Sequence, residues 1–380
     1  MNDIYCSAPW RSLAIMPNGE VRTCCVGSQA LGNLNESSIQ DIVNGPVLEK
    51  IQQELQTGTG DNCRICNNDE KQGNYASMRQ YYRKHYPIYQ SPTKHLEALD
   101  VRWNNKCNLA CQYCASHSSS IWEEKLQIKT AKARKSYEDD LLEWILPQLS
   151  GLREILLQGG EPMLMKQNYR LFALAPETCR FSIITNLSYD IENLPCMEDL
   201  LARPREQVIW NISAENTKSK FEYIRQGADW QQFQDNLIWL VKRWPTTVGM
   251  NMVYFLLSGY DILDTVKTFY SLGVKKFNLL SLHSNPCLMI NSMPEDVQKR
   301  ALDQLYQVKQ WHSDEFGPDQ DLYPIQGIDN IISGLHNAGS RAIIDKKTFF
   351  DKIAWHDSWA TQKFSDLWPD LNQQLLDNLT

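Results

Sequence analysis

The sequence predicts an α/β protein with a parallel sheet and covering helices. Between residues 95 and 290, short apolar runs alternate with stretches of helical periodicity, which is typical of strand–helix units. Six such units fit into this region, too few for an eight-stranded barrel. The expected strands are His95–Arg102, Arg153–Gln158, Arg180–Asn186, Gln207–Ala214, Thr247–Phe255 and Lys275–Leu282, and the expected helices include Tyr137–Leu149, Phe233–Arg243 and Tyr260–Leu272.

Composition narrows the class of protein. The 380 residues are 42% hydrophobic and 22% charged, as in an ordinary globular protein, and the net charge of −7 disfavours a general nucleic-acid surface. The sequence has no run of 18 apolar residues, so no membrane span is predicted, and no signal peptide is seen. Eleven cysteines without an export signal indicate metal or redox chemistry, not a disulfide framework, and we expect a cytoplasmic protein.

Three cysteines directly after the first expected strand carry the most specific signal. Cys107, Cys111 and Cys114 read Cys-Asn-Leu-Ala-Cys-Gln-Tyr-Cys, which places three thiolates on one tight loop. A cubane iron–sulfur cluster normally takes four thiolates, so three leave one iron free to hold a substrate or cofactor. The alternative is a zinc site, but zinc motifs favour paired Cys-x2-Cys units with a fourth ligand, and none follows closely.

This motif resembles that of the radical S-adenosylmethionine family. The resemblance implies an open six-stranded partial barrel, a [4Fe–4S] cluster on Cys107, Cys111 and Cys114, and bound S-adenosylmethionine. In that family the open iron chelates the methionine end of the cofactor, and one electron releases a 5′-deoxyadenosyl radical that abstracts a hydrogen atom. An electron donor such as flavodoxin or ferredoxin would be needed. Tyr113 matches the aromatic residue that usually lies against the adenine.

The same resemblance assigns further residues to the cofactor. The second expected strand ends in Gly159, Gly160, Glu161 and Pro162, matching the family element that contacts the methionine amino group; alone, this run is a plausible strand–helix turn. Three polar residues at the ends of the next two strands match a family cluster that reaches the ribose or carboxylate of the cofactor: Asn186, Ser213 and Glu215. At the position of Glu215 the family more commonly has Asp. Arg225 resembles an arginine that pairs with the cofactor carboxylate; the alternative is a surface helix charge.

A second group of cysteines lies in the first 66 residues. Trp10–Met16 and Glu20–Thr23 flank a Pro-Asn-Gly turn and read as a β-hairpin, which brings Cys6 and Cys24 together. A helical stretch over Ser37–Gln56 then returns the chain to Cys63 and Cys66. This order closely resembles the twitch (half-SPASM) module, which binds an auxiliary iron–sulfur cluster, here placed before the core instead of after it. A zinc site on the same four cysteines is the alternative. Cys25 is interpreted as a small buried residue.

The other cysteines are single. Cys179 and Cys196 are expected to be packing residues. Cys287 follows the sixth strand, where a thiol can return a hydrogen atom to a substrate radical, although a core or loop cysteine is the simpler interpretation. The last 90 residues read as mostly helical, for example over Met293–Trp311 and Ser358–Leu376. Four tryptophans are expected to pack this segment onto the core: Trp311, Trp355, Trp359 and Trp368.

The predicted organisation is a hairpin and helix iron–sulfur module at 1–84, a partial (β/α)6 barrel at 95–290 and a helical segment at 291–380, with His85–Lys94 as linker. We expect the enzyme to modify a ribosomally made peptide by crosslinking, epimerisation or splicing, with a separate peptide-recognition protein. The rival substrate is a small sugar, cyclitol or nucleoside. An iron–sulfur electron carrier is disfavoured because it needs no cofactor cradle, and an RNA-modifying enzyme because the chain is acidic.

Overall fold

The computed structural model describes residues 5–58, 61–71, 77–87, 95–128, 137–317, 325–337 and 343–379. The strands are β1 Ser12–Ile15, β2 Glu20–Arg22, β3 Gly32–Asn33, β4 Ala98–Val101, β5 Ala110–Cys111, β6 Glu154–Leu157, β7 Arg180–Thr185, β8 Val208–Ser213, β9 Arg225–Gln226, β10 Val248–Tyr254, β11 Lys276–Ser281 and β12 Ile325–Gln326. The helices are α1 Ala8–Arg11, α2 Ile39–Val43, α3 Pro46–Thr57, α4 Arg64–Lys71, α5 Met78–His85, α6 Ser120–Lys125, α7 Glu138–Ile145, α8 Lys166–Leu174, α9 Met197–Ala202, α10 Lys218–Ile224, α11 Trp230–Arg243, α12 Leu256–Gly259, α13 Ile262–Ser271, α14 Glu295–Phe316, α15 Ile328–Asn337, α16 Lys346–Asp357, α17 Phe364–Leu367 and α18 Pro369–Asn378.

The chain forms two compact units, each assembled from separate stretches of sequence. Unit 1 contains Met1–Cys107, Ser116–Ile184 and Pro195–Ile209. Unit 2 contains Asn108–Ala115, Thr185–Leu194 and Trp210–Thr380. The three-domain division expected from the sequence stays a prediction, and residues 88–94 of the expected linker lie outside the described residues.

Unit 1 is built on parallel strands extended by the N-terminal hairpin. Strands β4, β6 and β7 pair in parallel. Strand β1 adds to the free edge of β4, also in parallel, with Ser12 opposite Ala98 and Ile15 opposite Val101. Strands β2 and β3 follow in antiparallel pairing. The cysteine-rich N-terminal segment therefore continues the core sheet instead of forming a sheet of its own.

The two faces of this sheet differ in chemistry because successive side chains point to opposite sides. One face carries apolar side chains that are at most 2% exposed: Leu99, Val101, Ile155, Leu157, Phe181 and Ile183. The other face carries Asp100, Arg102, Glu154, Gln158 and Arg180. Gln158 donates from Nε2 to both carboxylate oxygens of Asp100 at 2.9 and 3.0 Å, and Arg102 donates to Asp100 at 3.0 Å.

The N-terminal elements differ from the expected ones in two places. The hairpin forms, but its first strand begins at Ser12 instead of Trp10, because Ala8–Arg11 is a short helix with a proline in its first turn. The single helix expected over Ser37–Gln56 is two helices, α2 and α3. Gly45 is extended, with ψ 161°, as residues before proline tend to be, and Pro46 begins the second helix.

Unit 2 contains the other three expected core strands. Strands β8, β10 and β11 are parallel, and the short strand β12, which was not expected, adds to β11. Side chains along β8 and β10 alternate between buried and half-buried. The prediction of an α/β core with six parallel strands is therefore confirmed.

The helical character of the C-terminal segment is also confirmed, with corrections. The helix expected over Ser358–Leu376 is replaced by α17 and α18, because Trp368 departs from helical geometry before Pro369. Trp368 is 1% exposed, and its Nε1 donates to Asp261 at 2.7 Å. The prediction that all four tryptophans pack inward is wrong for Trp359, which is 45% exposed. No helix in the described part of the chain is long and apolar enough to cross a membrane.

Candidate active site

A short antiparallel ladder holds the second half of the three-cysteine loop in unit 2. Strand β5 pairs with strand β9, so that Cys111 lies opposite Arg225 and Ala110 lies opposite Gln226. The next residue, Gln112, donates its backbone N–H to Ile224 at 2.9 Å. The loop backbone is therefore fixed by pairing, and Arg225 is brought to Cys111 by register.

A buried ion pair stands behind this loop. Arg225 donates from Nε to Glu215 Oε2 at 2.8 Å and from Nη2 to Oε1 at 2.7 Å, and the two side chains are 3% and 0% exposed. Tyr113 donates its hydroxyl to Glu215 Oε1 at 2.8 Å. Burial opposes the charge on Arg225, but Glu215 holds the pKa of the guanidinium well above its usual value. The alternative that Arg225 is a surface helix charge is therefore wrong.

Arg225 also reaches the thiol loop directly. Its Nη1 donates to Cys111 Sγ at 3.6 Å. The neighbouring thiol, Cys114, has its pKa raised to about 12 by burial first and by Cys111 second. A cation near these thiols favours their thiolate forms, which are the forms that bind metals.

A second link joins the thiol loop to the end of β7. Asn108 donates from Nδ2 to the carbonyl of Ser188 at 2.6 Å and accepts from Asn186 Nδ2 at 2.8 Å. Asn186, expected at the cofactor, is therefore brought to the thiol loop. Ser213 is the last residue of β8 and is half-buried. Sequence reasoning missed Asn108, although it follows Cys107 directly.

In unit 1, the glycine turn after β6 packs on the loop residue before Cys107. Gly159 has φ +116°, a conformation that favours glycine. A Cβ on Gly160 would lie 2.1 Å from the carbonyl oxygen of Lys106, and Glu161 donates its N–H to the same oxygen at 2.8 Å. Gly160 is thus needed for close approach to the start of the three-cysteine loop, and Gly159 for its backbone conformation.

The other residues of this turn complete a short 3-10 helix. Pro162 begins the helix, and the Glu161 carboxylate caps it by accepting from the Met163 N–H at 3.1 Å. Cys107 exchanges two hydrogen bonds of 3.2 Å with Ser120 Oγ, one through its N–H and one through its carbonyl.

The N-terminal thiols lie in three segments that hydrogen bonds hold together in unit 1. Ser12 Oγ donates to the carbonyls of Thr23 at 2.6 Å and Ala8 at 3.2 Å, which closes the base of the hairpin between Cys6 and Cys24. Asn62, just before Cys63, donates to Thr23 Oγ1 at 3.2 Å. Cys66 lies in α4.

Burial and the neighbouring thiols raise the pKa values of the N-terminal cysteines. Burial raises the pKa of Cys6 to about 12, and Cys63 and Cys66 contribute to the rise. The pKa of Cys24 is raised well above its usual value by burial, with contributions from Cys6 and Cys63. Cys6, Cys24, Cys63 and Cys66 are all at most 9% exposed. All four thiols are therefore buried in unit 1, and their sharing of one cluster stays a prediction.

Sequence reasoning missed a buried arginine in this group. Arg79, on α5, is 2% exposed and donates from Nη1 to Glu70 at 2.7 Å and from Nη2 to Asn67. Burial raises the pKa of the Cys63 thiol, and the positive charge of Arg79 opposes that rise. A lone arginine thirteen residues after the last cysteine gave no local signal.

The remaining cysteines occupy different surroundings. Cys25 has its pKa raised to about 11, chiefly by burial and then by Asp100. Cys179 and Cys196 are 0% and 1% exposed. Cys287 is half-buried in a 3-10 turn after β11. Among the described residues, no three His, Cys, Asp or Glu side chains converge as ligands of a single metal ion.

Two protein-family models match separate stretches of the chain. Residues 101–279 match the radical SAM superfamily, and residues 6–67 match the SPASM iron–sulfur cluster-binding domain. A comparison with curated proteins found no match.

Similar solved structures include anSMEcpe with bound AdoMet (18% identity over 58% of this chain and 61% of that chain, TM-score 0.42). Streptococcus suis SuiB bound to precursor peptide SuiA is 13% identical over 69% of this chain and 60% of that chain, with a TM-score of 0.39. The hydrogenase maturase HydG from Carboxydothermus hydrogenoformans is 14% identical over 57% and 52%, with a TM-score of 0.36. This chain spans about three fifths of the length of the first two.

These families imply a four-iron cluster with S-adenosylmethionine and auxiliary iron–sulfur binding, and the residues present fit both. A three-cysteine loop leaves one iron open, and Arg225 supplies a positive charge beside Cys111. At the N-terminal group, Arg79 Nε is buried without an acceptor in the described part of the chain, as suits a donor facing a sulfur cluster. The chain therefore carries a radical SAM domain preceded by an SPASM-type iron–sulfur cluster-binding domain.

Proposed function

We propose that this enzyme cleaves S-adenosylmethionine reductively and uses the product to abstract a hydrogen atom from a peptide. When bound, the cluster and cofactor supply the electron and the hydrogen-abstracting group. The proposed ligands of the radical cluster are Cys107, Cys111 and Cys114. The observation that carries this assignment is the Tyr113–Glu215–Arg225 network, which holds a buried cation against Cys111.

The residues around the loop have separate proposed tasks. Arg225 is assigned to holding Cys111 and stabilising the Cys111 thiolate, because its ion pair with Glu215 neutralises most of its positive charge. Ser213 and Asn186, at the ends of β8 and β7, are assigned to the polar groups of the cofactor. Gly159–Pro162 is assigned to its methionine end, through a turn whose position the Lys106 carbonyl fixes.

The N-terminal thiols are proposed to bind the auxiliary cluster through Cys6, Cys24, Cys63 and Cys66. The match to the SPASM iron–sulfur cluster-binding domain supports the auxiliary cluster, and a peptide is the substrate expected from the sequence. SuiB, one of the similar structures, is described as bound to a precursor peptide. A small recognition protein is proposed to deliver the peptide, and a flavodoxin or ferredoxin to supply electrons.

The first test is 5′-deoxyadenosine formation by anaerobically reconstituted, reduced protein. Replacement of Cys107, Cys111 and Cys114 by Ala should abolish this product, and its persistence would refute the cluster assignment. The second test is co-expression with short open reading frames encoded beside this gene, followed by mass spectrometry. An unaltered peptide, together with product formation driven by a sugar or nucleoside, would replace the peptide with a small molecule.

A further inference from the structure

The auxiliary thiol group contains one buried cation, Arg79. Its side chain is 2% exposed, whereas its carboxylate partner Glu70 is 17% exposed. Solvent screens the charge of Glu70 more than that of Arg79. Arg79 also donates from Nη2 to Asn67, the residue after Cys66, so its guanidinium lies beside the thiol-bearing helix. The less screened partner of this ion pair is therefore the cation.

The position of Arg79 is set by its helix. It lies in the first turn of α5, which begins at Met78. Ser77 caps the helix by accepting from the Gln80 N–H, and Ser77 Oγ in turn donates to Glu70 at 2.5 Å. The cap therefore fixes the turn that places Arg79, and the partial positive charge of the helix start adds to that of the guanidinium.

One nitrogen of Arg79 has no hydrogen-bond partner. Nη1 donates to Glu70 and Nη2 to Asn67, while Nε is buried without an acceptor among the residues that the structure describes. A buried N–H without an acceptor is energetically unfavourable. The thiol group beside it carries negative charge once it holds a metal cluster, and thiolate or sulfide sulfur accepts such hydrogen bonds.

We propose that Arg79 is a positioning residue that raises the reduction potential of the auxiliary cluster. Reduction adds one negative charge to the cluster, and a fixed, desolvated cation stabilises the more negative state. Arg79 lies outside the stretch that matches the SPASM family, so the family match does not assign it. This inference rests on the proposed ligand set Cys6, Cys24, Cys63 and Cys66.

The experiment is a redox titration of anaerobically reconstituted full-length protein, monitored by electron paramagnetic resonance. The main variant is Glu70→Gln with Arg79→Gln, which removes both charges and leaves no unpaired buried ion. Arg79→Lys retains the charge and loses the planar fork. Lys84→Gln is the control, because Lys84 is an exposed cation on the same helix.

In the double variant, we expect the auxiliary cluster to be at least tenfold harder to reduce, a shift of about 59 mV for one electron. The radical cluster should keep its potential, Arg79→Lys should shift the auxiliary cluster less, and Lys84→Gln should leave both unchanged. Unchanged auxiliary potential in the double variant overturns the proposal. An equal shift in Lys84→Gln, or loss of auxiliary iron in Arg79→Lys, does so as well.

The ligand assignment fails separately. If Cys63→Ala retains the full iron content, or if the N-terminal thiols hold zinc, the proposed ligand set is wrong and no auxiliary potential exists for Arg79 to set. If iron depends on Cys63 but the potential ignores Arg79, only the role of Arg79 is wrong.

Discussion

Arg225 forms a bidentate ion pair with Glu215, donating from Nε at 2.8 Å and from Nη2 at 2.7 Å. Neither side chain is more than 3% exposed. Breaking such a pair strands a buried charge, at a cost of about 3–5 kcal/mol. We therefore expect Arg225→Leu to destabilise the protein strongly. The double variant Arg225→Leu with Glu215→Leu should be less destabilised, because it strands no charge.

The measurement is the thermal midpoint of anaerobic holoprotein for the two single variants and the double variant. If the double variant is no more stable than Arg225→Leu, the unpaired charge of Glu215 is not the cause of the destabilisation. Iron content gives a second reading, since loss of the cation beside Cys111 should weaken the radical cluster and spare the auxiliary one.

Gly160→Ala should displace the three-cysteine loop. The added Cβ would lie 2.1 Å from the carbonyl oxygen of Lys106, a backbone atom one residue before Cys107. We expect this variant to lose iron from the radical cluster and to bind S-adenosylmethionine weakly. The control is Gly334→Ala, on helix α15 with no atom within 4 Å of the added Cβ, which should be neutral or gain up to about 1 kcal/mol. Normal iron content in Gly160→Ala would mean that the loop adapts without cost.

The sequence was most informative where structure follows from local pattern. The six core strands form close to their expected bounds, because each apolar run is long enough to be buried as a strand. The hairpin turn forms at Asn18-Gly19, where Gly19 has φ +84°. Two helix boundaries were missed at prolines: Pro46 and Pro369 each begin a helix inside a stretch that was read as continuous.

The candidate site was predicted less completely, because its contacts join distant residues. Tyr113 and Glu215 are 102 positions apart, and their hydrogen bond has no signature in either local sequence. Arg79 and Asn108 were missed for the same reason. Nothing in the local sequence shows that Arg79 lies near the N-terminal thiols or that Asn108 joins the three-cysteine loop to the end of β7. Arg225 was found only because the family resemblance directed attention to it.

Asn108→Ala should weaken the link between the thiol loop and the end of β7. The substitution removes a donor to Ser188 at 2.6 Å and an acceptor for Asn186 at 2.8 Å, and each lost hydrogen bond costs about 0.5–1.5 kcal/mol. We expect a lower thermal midpoint and a higher dissociation constant for S-adenosylmethionine, measured by equilibrium binding. Asn193→Ala removes an exposed hydrogen bond to Asp190 in the same unit and should change neither value.

The two thiol groups should bind iron independently. Protein reconstituted anaerobically should carry about eight irons if both clusters contain four. Replacing Cys107, Cys111 and Cys114 by Ala should remove about half, and replacing Cys63 and Cys66 should remove the other half. Cys287→Ala, which alters a half-buried thiol outside both groups, should remove none. Iron lost equally from both groups in either variant would contradict separate sites.

The final prediction concerns the anchor of helix α5. Glu154 on β6 accepts hydrogen bonds from the hydroxyls of Tyr81 and Tyr86, the latter at 2.7 Å, and pairs with Arg180 at 3.0 Å. The same helix carries Arg79 to the auxiliary thiols. Glu154→Gln keeps the size of the side chain but loses its charge and one acceptor oxygen, so α5 should be held less firmly.

We expect Glu154→Gln to speed hydrogen exchange in α5 and to make the auxiliary iron easier to remove by a chelator, with little effect on the radical cluster. Glu143→Gln is a suitable control, because its ion pair with Arg170 lies in the same unit but is exposed on both sides. Exchange in α5 that matches the parent protein would show that the tyrosine contacts do not anchor the helix. Equal chelator sensitivity of both clusters would show that the effect of Glu154 is on the whole fold instead of the auxiliary site.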